Sequence, residues 1–190
     1  ISFFKNLEGV IDAVYNPICT NLILDAKERK IKAEGGLYML VSQAAYAVEK
    51  FTDAPVDECK VEDVYRNLYK DKMNIVLIGM PGAGKSTIGI VLAKRVGFKF
   101  VDSDLVIQEK EGKLLHEIIS EVGNDGFIEV ENRINASLDC NESVIATGGS
   151  VIYGEDAMRH LKEIGTVIYL KLSYEEINKR LANLKDRGVV

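Results

Sequence analysis

The segment Gly79–Ser86 constrains the fold of this chain more than any other, because its letters GMPGAGKS match the pattern G-x-x-x-x-G-K-[ST]. An apolar run, Asn74–Ile78, precedes it, and an amphipathic stretch, Ser86–Val96, follows it and ends at Gly97. A buried strand, a glycine-rich loop and a helix in this order form the context in which the pattern binds phosphate. A glycine-rich turn that matches by chance is the alternative, and the flanking strand and helix argue against it.

The residues of this loop predict how a nucleotide is held. Glycines let successive main-chain N–H groups turn toward a phosphate, and the start of the following helix adds partial positive charge. Lys85 supplies a full positive charge, and the Ser86 hydroxyl can bind Mg²⁺, with Thr87 as a weaker alternative. The residues expected to contact the nucleotide are Gly79, Gly82, Ala83, Gly84, Lys85, Ser86 and Thr87.

The composition argues against several classes of protein. A formal net charge of −5 over 190 residues disfavours a nucleic-acid partner held by electrostatics. No apolar run approaches the roughly 20 residues of a membrane span, so no membrane partner is expected. The cysteines are far apart and lack C-x-x-C spacing, which favours reduced thiols in a cytoplasmic protein over disulfides or a zinc site. They are Cys19, Cys59 and Cys140.

Two unequal parts are predicted along the chain. Residues 1–53 form a small α/β segment, residues 54–72 a charge-rich linker, and residues 73–190 a larger domain. Strands and helices alternate in the larger domain, which predicts an α/β fold with a parallel sheet covered by helices on both faces. Because a kinase-type α/β domain usually needs one more helix, and often a strand, we expect its C-terminal end to be incomplete.

Hydrophobic periodicity and turn residues predict the individual elements. The expected strands are 9–15, 74–79, 99–102, 143–147 and 166–172. The expected helices are 22–29, 37–51, 61–69, 86–96, 105–111, 114–122 with a cap at Gly123, 127–138, 155–164 and 174–183.

Two further segments follow predicted strand ends, where an α/β sheet binds its ligands. Asp102 and Asp104 suit a magnesium-nucleotide site and the orientation of an acceptor hydroxyl, although Asp102 or Ser103 could instead cap the next helix. Gly148 and Gly149 would let a ligand lie close to the main chain. Alone, a glycine pair is a weak signal; beside the other two segments it supports a binding site.

The three segments together resemble the shikimate kinase family, over about residues 74–190. The family's phosphate loop has the form G-M-x-G-x-G-K-[ST]-T-x-G, which Gly79–Gly89 matches. The resemblance implies a P-loop kinase fold that binds ATP and Mg²⁺. It implies that Lys85 and Ser86 contact the phosphates and the metal, that Asp102 assists the metal, and that Arg180 packs near the adenine.

The same resemblance implies an acceptor site and a closing lid. Asp104 would bind the hydroxyls of the acceptor, and Gly148 and Gly149 would line its site. Arg187 would be the lid arginine that closes over the transferred phosphoryl group. Catalysis is therefore expected from Lys85, Asp104 and Arg187.

The chain departs from the family pattern at the acceptor side. The family has Phe-Arg where this chain has Phe127-Ile128, and that arginine binds the acceptor's carboxylate. Isoleucine cannot make a bidentate ion pair. The family's third glycine is Ser150 here, and the lid's Arg-Pro is Arg187-Gly188. Either another cation replaces the arginine, or the acceptor is different.

The first part of the chain resembles the C-terminal end of shikimate dehydrogenase. In that family, the residues that match Tyr15 and Gln43 reach the substrate, and those that match Gly36 and Met39 lie near the nicotinamide. The resemblance implies NADP only for a remainder of the dehydrogenase that this sequence lacks, so hydride transfer is not expected. An ordinary helix with a packed face is the alternative for Gln43 and Met39. The matching segments are Asp12–Pro17, Thr20, Asp25-Ala26 and Gly36–Ala44.

The resulting hypothesis is ATP-dependent phosphorylation of a shikimate hydroxyl by part of a dehydrogenase–kinase fusion. One alternative is a kinase of another small hydroxylated acid or nucleotide. A second is an ATP-binding module without catalysis, and a third treats residues 1–53 as a binder in their own right.

Overall fold

The computed structural model describes residue 1 and residues 3–186, with side chains as far as Arg180. The chain divides into an N-terminal unit, residues 1–73 with 162–165, and a C-terminal unit, residues 74–161 with 166–190. No helix in the described part of the chain is both long and apolar enough to span a membrane.

The N-terminal unit combines a two-stranded sheet with three helices. Strands β1 (Gly9–Ile11) and β2 (Lys32–Glu34) pair in parallel. They are accompanied by α1 (Asn21–Glu28), α2 (Gly36–Thr52) and α3 (Glu58–Lys72). Strand β1 is therefore shorter than the predicted strand 9–15, and β2 was not predicted.

Helix α3 lies in the segment that the sequence assigned to a linker. It is longer than the predicted helix 61–69, because Asp57 accepts a hydrogen bond from the main-chain N–H of Cys59 and caps its start. Its Tyr65 ring contacts Tyr38 of α2 edge to face, with ring centroids 5.3 Å apart. Residues 58–72 thus pack within the N-terminal unit.

The C-terminal unit contains a four-stranded sheet in the order β4-β5-β3-β6. Its strands are β3 (Asn74–Ile78), β4 (Lys99–Asp102), β5 (Ser143–Ala146) and β6 (Gly165–Tyr169). Strand β5 pairs in parallel with both β3 and β4. The strands alternate with helices, so the predicted α/β fold with a parallel sheet is confirmed. The helices are α4 (Lys85–Val96), α5 (Ser103–Glu111), α6 (Leu115–Asn135), α7 (Glu155–Ile164) and α8 (Tyr174–Asp186).

Helix α6 consists of two helical stretches that meet at a kink, as the sequence predicted with one helix over 114–122 capped at Gly123 and another over 127–138. The run Leu115–Asn135 differs from that prediction in its ends, because the second stretch begins directly after the kink and stops at Asn135. Gly123 has φ 71° and ψ 179°, a conformation that glycine adopts readily and that interrupts the helical geometry. The glycine breaks the helix locally, and the chain resumes the helix at once.

The core of the C-terminal unit lies around the sheet. Val76 and Leu77 of β3 and Val144 and Ile145 of β5 are at most 1% exposed. These apolar runs are typical of central strands in a sheet covered on both faces. Because parallel strands end at the same edge, the segments that follow β3, β4 and β5 meet there.

Candidate nucleotide and acceptor site

The phosphate loop connects β3 to α4 through a conformation that requires glycine. A Cβ on Gly79, which has φ 153°, would lie 2.9 Å from the carbonyl oxygen of Leu170. Gly84 has φ 91° and ψ 21° and forms the N-cap of α4. The loop therefore turns directly into a helix N-terminus, where main-chain N–H groups and the helix dipole favour an anion.

Lys85 is buried at the first position of α4, with 8% of its surface exposed. Its ammonium donates to the carbonyl oxygens of Gly79 at 2.7 Å and Met80 at 3.1 Å. Burial lowers the pKa of Lys85, while the charges of Asp104, Glu131 and Asp102 oppose this shift. An ammonium has three N–H donors, so one remains for a phosphate oxygen.

Asp102 uses both carboxylate oxygens. Its Oδ2 accepts a hydrogen bond from the Ser86 hydroxyl at 3.0 Å, and its Oδ1 accepts one from the main-chain N–H of Asp104 at 3.0 Å. It is thus the N-cap of α5, as the alternative interpretation proposed.

Ser86 and Asp102 also fit a magnesium site. The hydroxyl and carboxylate are hard oxygen ligands that lie side by side next to the phosphate loop. Mg²⁺ in nucleotide sites takes one or two protein oxygens and completes its shell with waters and phosphates. This pair suffices for that role, and within the described residues no cluster of three or more acidic, histidine or cysteine side chains could hold a metal.

Asp104 lines the cleft from the first turn of α5. Burial raises the pKa of its carboxyl, the nearby charge of Asp102 adds to the shift, and Lys85 opposes it. The carboxylate is therefore placed to accept a hydrogen bond from a ligand hydroxyl near the phosphate loop.

The turn after β5 brings main chain close to two neighbours. A Cβ on Gly148 would lie 2.1 Å from Glu131 Oε1, and a Cβ on Gly149 would lie 2.6 Å from Pro81 Cδ. The N–H of Gly148 donates to the Ser103 hydroxyl at 3.1 Å. A side chain at Gly149 would collide with the Pro81 ring, and one at Gly148 would displace the Glu131 carboxyl group, so the predicted pair has a steric cause.

Sequence reasoning missed Glu131, which lies on α6 beneath this turn. It is 1% exposed, its Oε2 accepts a hydrogen bond from the Ser150 hydroxyl, and its Oε1 has no hydrogen-bond partner among the described atoms. Burial raises its pKa, and the Ser150 bond opposes that shift. The available signal was an acidic residue three positions before the core residue Ile134, on the apolar face of a helix.

These segments enclose one cleft of about 630 Å³ in the C-terminal unit. Arg180 extends from α8 over the loop and donates to the carbonyl oxygen of Ala83 at 3.3 Å. The structure therefore brings most of the predicted nucleotide and acceptor residues of this unit to one cleft, although Gly79, Ala83 and Asp102 are not among its lining residues. The lining residues are Pro81, Gly82, Gly84, Lys85, Ser86, Thr87, Asp104, Thr147, Gly148, Gly149 and Arg180.

Three further predicted residues lie either outside the described part of the chain or in the other unit. Arg187 lies outside the described residues. Tyr15 and Gln43 belong to the N-terminal unit, where both are exposed, and their predicted roles stay predictions.

Comparison with known proteins decides the family. A sequence model described as shikimate kinase matches residues 81–190, which is more than half of the chain. The chain belongs to the shikimate kinase family. It is accordingly a kinase, a transferase whose family uses ATP and Mg²⁺.

Individual shikimate kinases support this assignment. The shikimate kinase of Persephonella marina is 42% identical over 118 residues, which cover 62% of this chain and 72% of that protein. The one from Bacillus anthracis strain CDC 684 is 39% identical over 108 residues, which cover 57% of this chain and 66% of that protein.

Solved structures of shikimate kinases share the fold. The Acinetobacter baumannii enzyme in complex with shikimate is 34% identical with a TM-score of 0.56, over 64% of this chain and 68% of that one. The Bacteroides thetaiotaomicron enzyme is 31% identical with a TM-score of 0.53, over 58% of this chain and 63% of that one.

Proposed function

We propose that this chain transfers the γ-phosphoryl group of magnesium-ATP to a hydroxyl of shikimate. The observation that carries the proposal is the convergence of the phosphate loop, Asp104 and the Gly148–Gly149 turn on one cleft. A related shikimate kinase is described in complex with shikimate. Phosphoryl transfer needs mainly positioning and charge stabilisation, and this cleft offers groups for both.

On the nucleotide side, the loop N–H groups and Lys85 hold the β- and γ-phosphates. Ser86 and Asp102 hold Mg²⁺, which neutralises charge that develops on the phosphate oxygens. Lys85 donates its remaining N–H to a phosphate oxygen and keeps its charge beside the transferred group. Arg180 lies over the loop, in a position that suits contact with the nucleoside part.

On the acceptor side, Asp104 orients the attacking hydroxyl and accepts its proton as the bond to phosphorus forms. The raised pKa of Asp104 favours this role, because a more basic carboxylate accepts a proton more readily. Gly148 and Gly149 let the acceptor lie close to the main chain. Arg187 is proposed as the lid arginine that stabilises charge on the transferred phosphoryl group.

Coupled measurement of ADP release tests the proposal. The chain is assayed with magnesium-ATP in the presence and absence of shikimate. Saturable stimulation by shikimate is the expected result. Tight ATP binding without stimulation by shikimate would contradict it.

A kinase of another hydroxylated acceptor is the second candidate, and Ile128 is the observation that favours it. This half-buried side chain stands where the family's carboxylate-binding arginine is expected, and it cannot bind an anion. A panel of hydroxylated acids, neutral polyols and nucleosides in the same assay separates the candidates. ATP binding with no acceptor at all would instead support a binding module without catalysis.

We further propose that the chain is part of a dehydrogenase–kinase fusion, whose kinase part begins at about residue 73, after helix α3 of the N-terminal unit. The resemblance of residues 9–53 to shikimate dehydrogenase supports this, and so does their separation into another unit. Several matched residues shape that unit: a Cβ on Gly36 would lie 2.2 Å from the carbonyl oxygen of Ala13, and Thr20 caps α1. NADP binding belongs to the remainder of such a dehydrogenase, so this chain should not reduce NADP⁺ with shikimate.

A further inference from the structure

Ser103 links two segments that lie on the acceptor side of the cleft. It is the first residue of α5 and is 0% exposed. Its hydroxyl oxygen accepts a hydrogen bond from the main-chain N–H of Gly148 at 3.1 Å. The helix is capped by Asp102 instead, so the Ser103 side chain connects α5 to a turn that lies 45 residues further along the chain.

This hydrogen bond lies just beyond the paired parts of β4 and β5. The register of the two strands ends with the pair Asp102 and Ala146. The next residue, Thr147, bonds to β3, because its N–H and its hydroxyl both donate to the carbonyl oxygen of Leu77. The serine bond therefore keeps the segments after β4 and β5 together at a point where the pairing of these strands has ended.

The same bond sets the separation between the turn and a carboxylate of the cleft. A Cβ on Gly148 would lie 3.0 Å from Asp104 Oδ1, and both residues line the cleft. Asp104 follows Ser103 directly in the chain, so one residue places both the carboxylate and the main chain of Gly148. An acceptor hydroxyl that reaches Asp104 therefore lies beside this turn.

We propose that Ser103 is a positioning residue for phosphoryl transfer, which fixes the turn at Gly148 relative to the carboxylate of Asp104. This inference rests on the proposed function, because it concerns the acceptor hydroxyl of that same site. Ser103 is buried and does not touch the acceptor; it acts through Gly148 and Asp104. A misplacement of reacting groups by about 1 Å costs about a hundredfold in rate, so a small shift of the turn is enough to lower kcat.

The variant Ser103→Ala tests this role. It removes the oxygen that accepts the N–H of Gly148, and because an unpartnered buried N–H is costly, the turn shifts toward another acceptor. We expect kcat with shikimate to fall about tenfold, on the scale of one lost buried hydrogen bond. The KM for ATP should stay within about twofold, because the bond lies on the acceptor side. Coupled ADP release measures both constants, and urea unfolding measures stability.

Two further variants separate positioning from structure. Ser143 is also 0% exposed, and its hydroxyl donates to the carbonyl oxygen of Asn141 at 2.8 Å, but it lies at the start of β5, at the opposite end from the turn. Ser143→Ala should therefore lose stability and keep kcat within about twofold. Ser103→Cys fills the space of the serine with sulfur, a weak acceptor. It should lose kcat as Ser103→Ala does, which covers the case in which the alanine variant does not fold.

The parent chain distinguishes failure of this inference from failure of the proposed function. If shikimate does not stimulate ADP release by the parent chain, the proposed function is wrong and the inference falls with it. If the parent chain is stimulated, a kcat of both Ser103 variants equal to that of Ser143→Ala overturns the inference alone. It is also overturned if neither Ser103 variant folds, or if the KM for ATP rises as much as kcat falls, because Ser103 then supports the whole fold or the whole cleft.

Discussion

Lys85 occupies a buried position in which two loop carbonyls satisfy its ammonium. Its charge is therefore held in place before a nucleotide arrives, and little reorganisation is needed when a phosphate binds. The same burial makes the residue costly as a purely structural element, since it lowers the pKa of the amine. The location of Lys85 therefore favours ligand binding more than it favours the stability of the fold.

Replacing Lys85 by Ala should reduce kcat by at least about a hundredfold, because a charge beside the transferred group is lost. The fold should persist, with a cooperative urea transition. Lys94→Ala, an exposed lysine on the same helix, provides the control and should retain activity. Near-normal turnover of the Lys85 variant would exclude its assigned role.

Glu131 predicts a pH dependence of stability. Burial raises its pKa above the ordinary 4.5, so the folded state binds this proton more tightly than the unfolded state does. The contribution of Glu131 to stability is therefore complete below pH 4.5 and is lost as pH rises through the raised pKa. The free energy of unfolding of Glu131→Gln, relative to the parent chain, should increase over that range.

Urea unfolding at several pH values from 4.5 upward checks this difference. The slope for one proton cannot exceed about 1.4 kcal/mol per pH unit. Glu129→Gln, exposed on the same helix, should show no such trend. A constant difference between parent and Glu131→Gln would show that the buried carboxyl does not titrate abnormally.

At the scale of single residues, the sequence predicted those cleft residues that belong to recognisable motifs. Lys85, Asp104 and Gly148 come together because the ends of parallel strands share one edge. Glu131 was missed because its role depends on the distance between α6 and the turn after β5, which no local pattern encodes. The capping role of Asp102 was foreseen only as an alternative to metal binding, and the two roles use different oxygens.

Among the elements, the contact between α4 and β4 depends on a glycine. A Cβ on Gly89 would lie 2.6 Å from Phe100 Cε2, so the helix packs on the aromatic ring without a side chain between them. Gly89→Ala should destabilise the fold by about 1–3 kcal/mol through overpacking. Chemical denaturation measures this change.

Two companion variants give the prediction for Gly89 its controls. Val91→Ala, on the exposed side of α4, should cost much less. Adding Phe100→Leu to Gly89→Ala should recover part of the loss by making room. If the double variant is as unstable as the sum of both single variants, the steric explanation is incorrect.

Elements with strong local signals were predicted well. The strand 99–102 and the helix 155–164 match the structure in both bounds, because the pattern of apolar residues delimits them. Strand β2 has only three residues and depends on its pairing with β1, so no pattern within it was sufficient. The break at Gly123 was also predicted, because a glycine near the end of a periodic segment marks a helix stop.

At the scale of the whole molecule, the chain consists of two units. The cleft is lined wholly by residues of the C-terminal unit. Removal of residues 1–72 should therefore leave the dissociation constant for an ATP analogue within about threefold, a change below 1 kcal/mol. Isothermal titration of both chains measures this, and loss of binding in a folded shortened chain would contradict the proposed boundary.

The double use of Asp102 has a consequence for how the two substrates affect each other. One oxygen bonds Ser86 beside the phosphates, and the other fixes the first turn of α5, which carries Asp104. A ligand that moves the carboxylate of Asp102 through one oxygen therefore also changes the hydrogen bond that the other oxygen accepts from Asp104. Thermodynamic linkage makes such an influence reciprocal: whatever factor ATP applies to acceptor affinity, the acceptor must apply to ATP affinity. An acceptor-site inhibitor for this kinase should consequently be selected against the nucleotide-loaded enzyme.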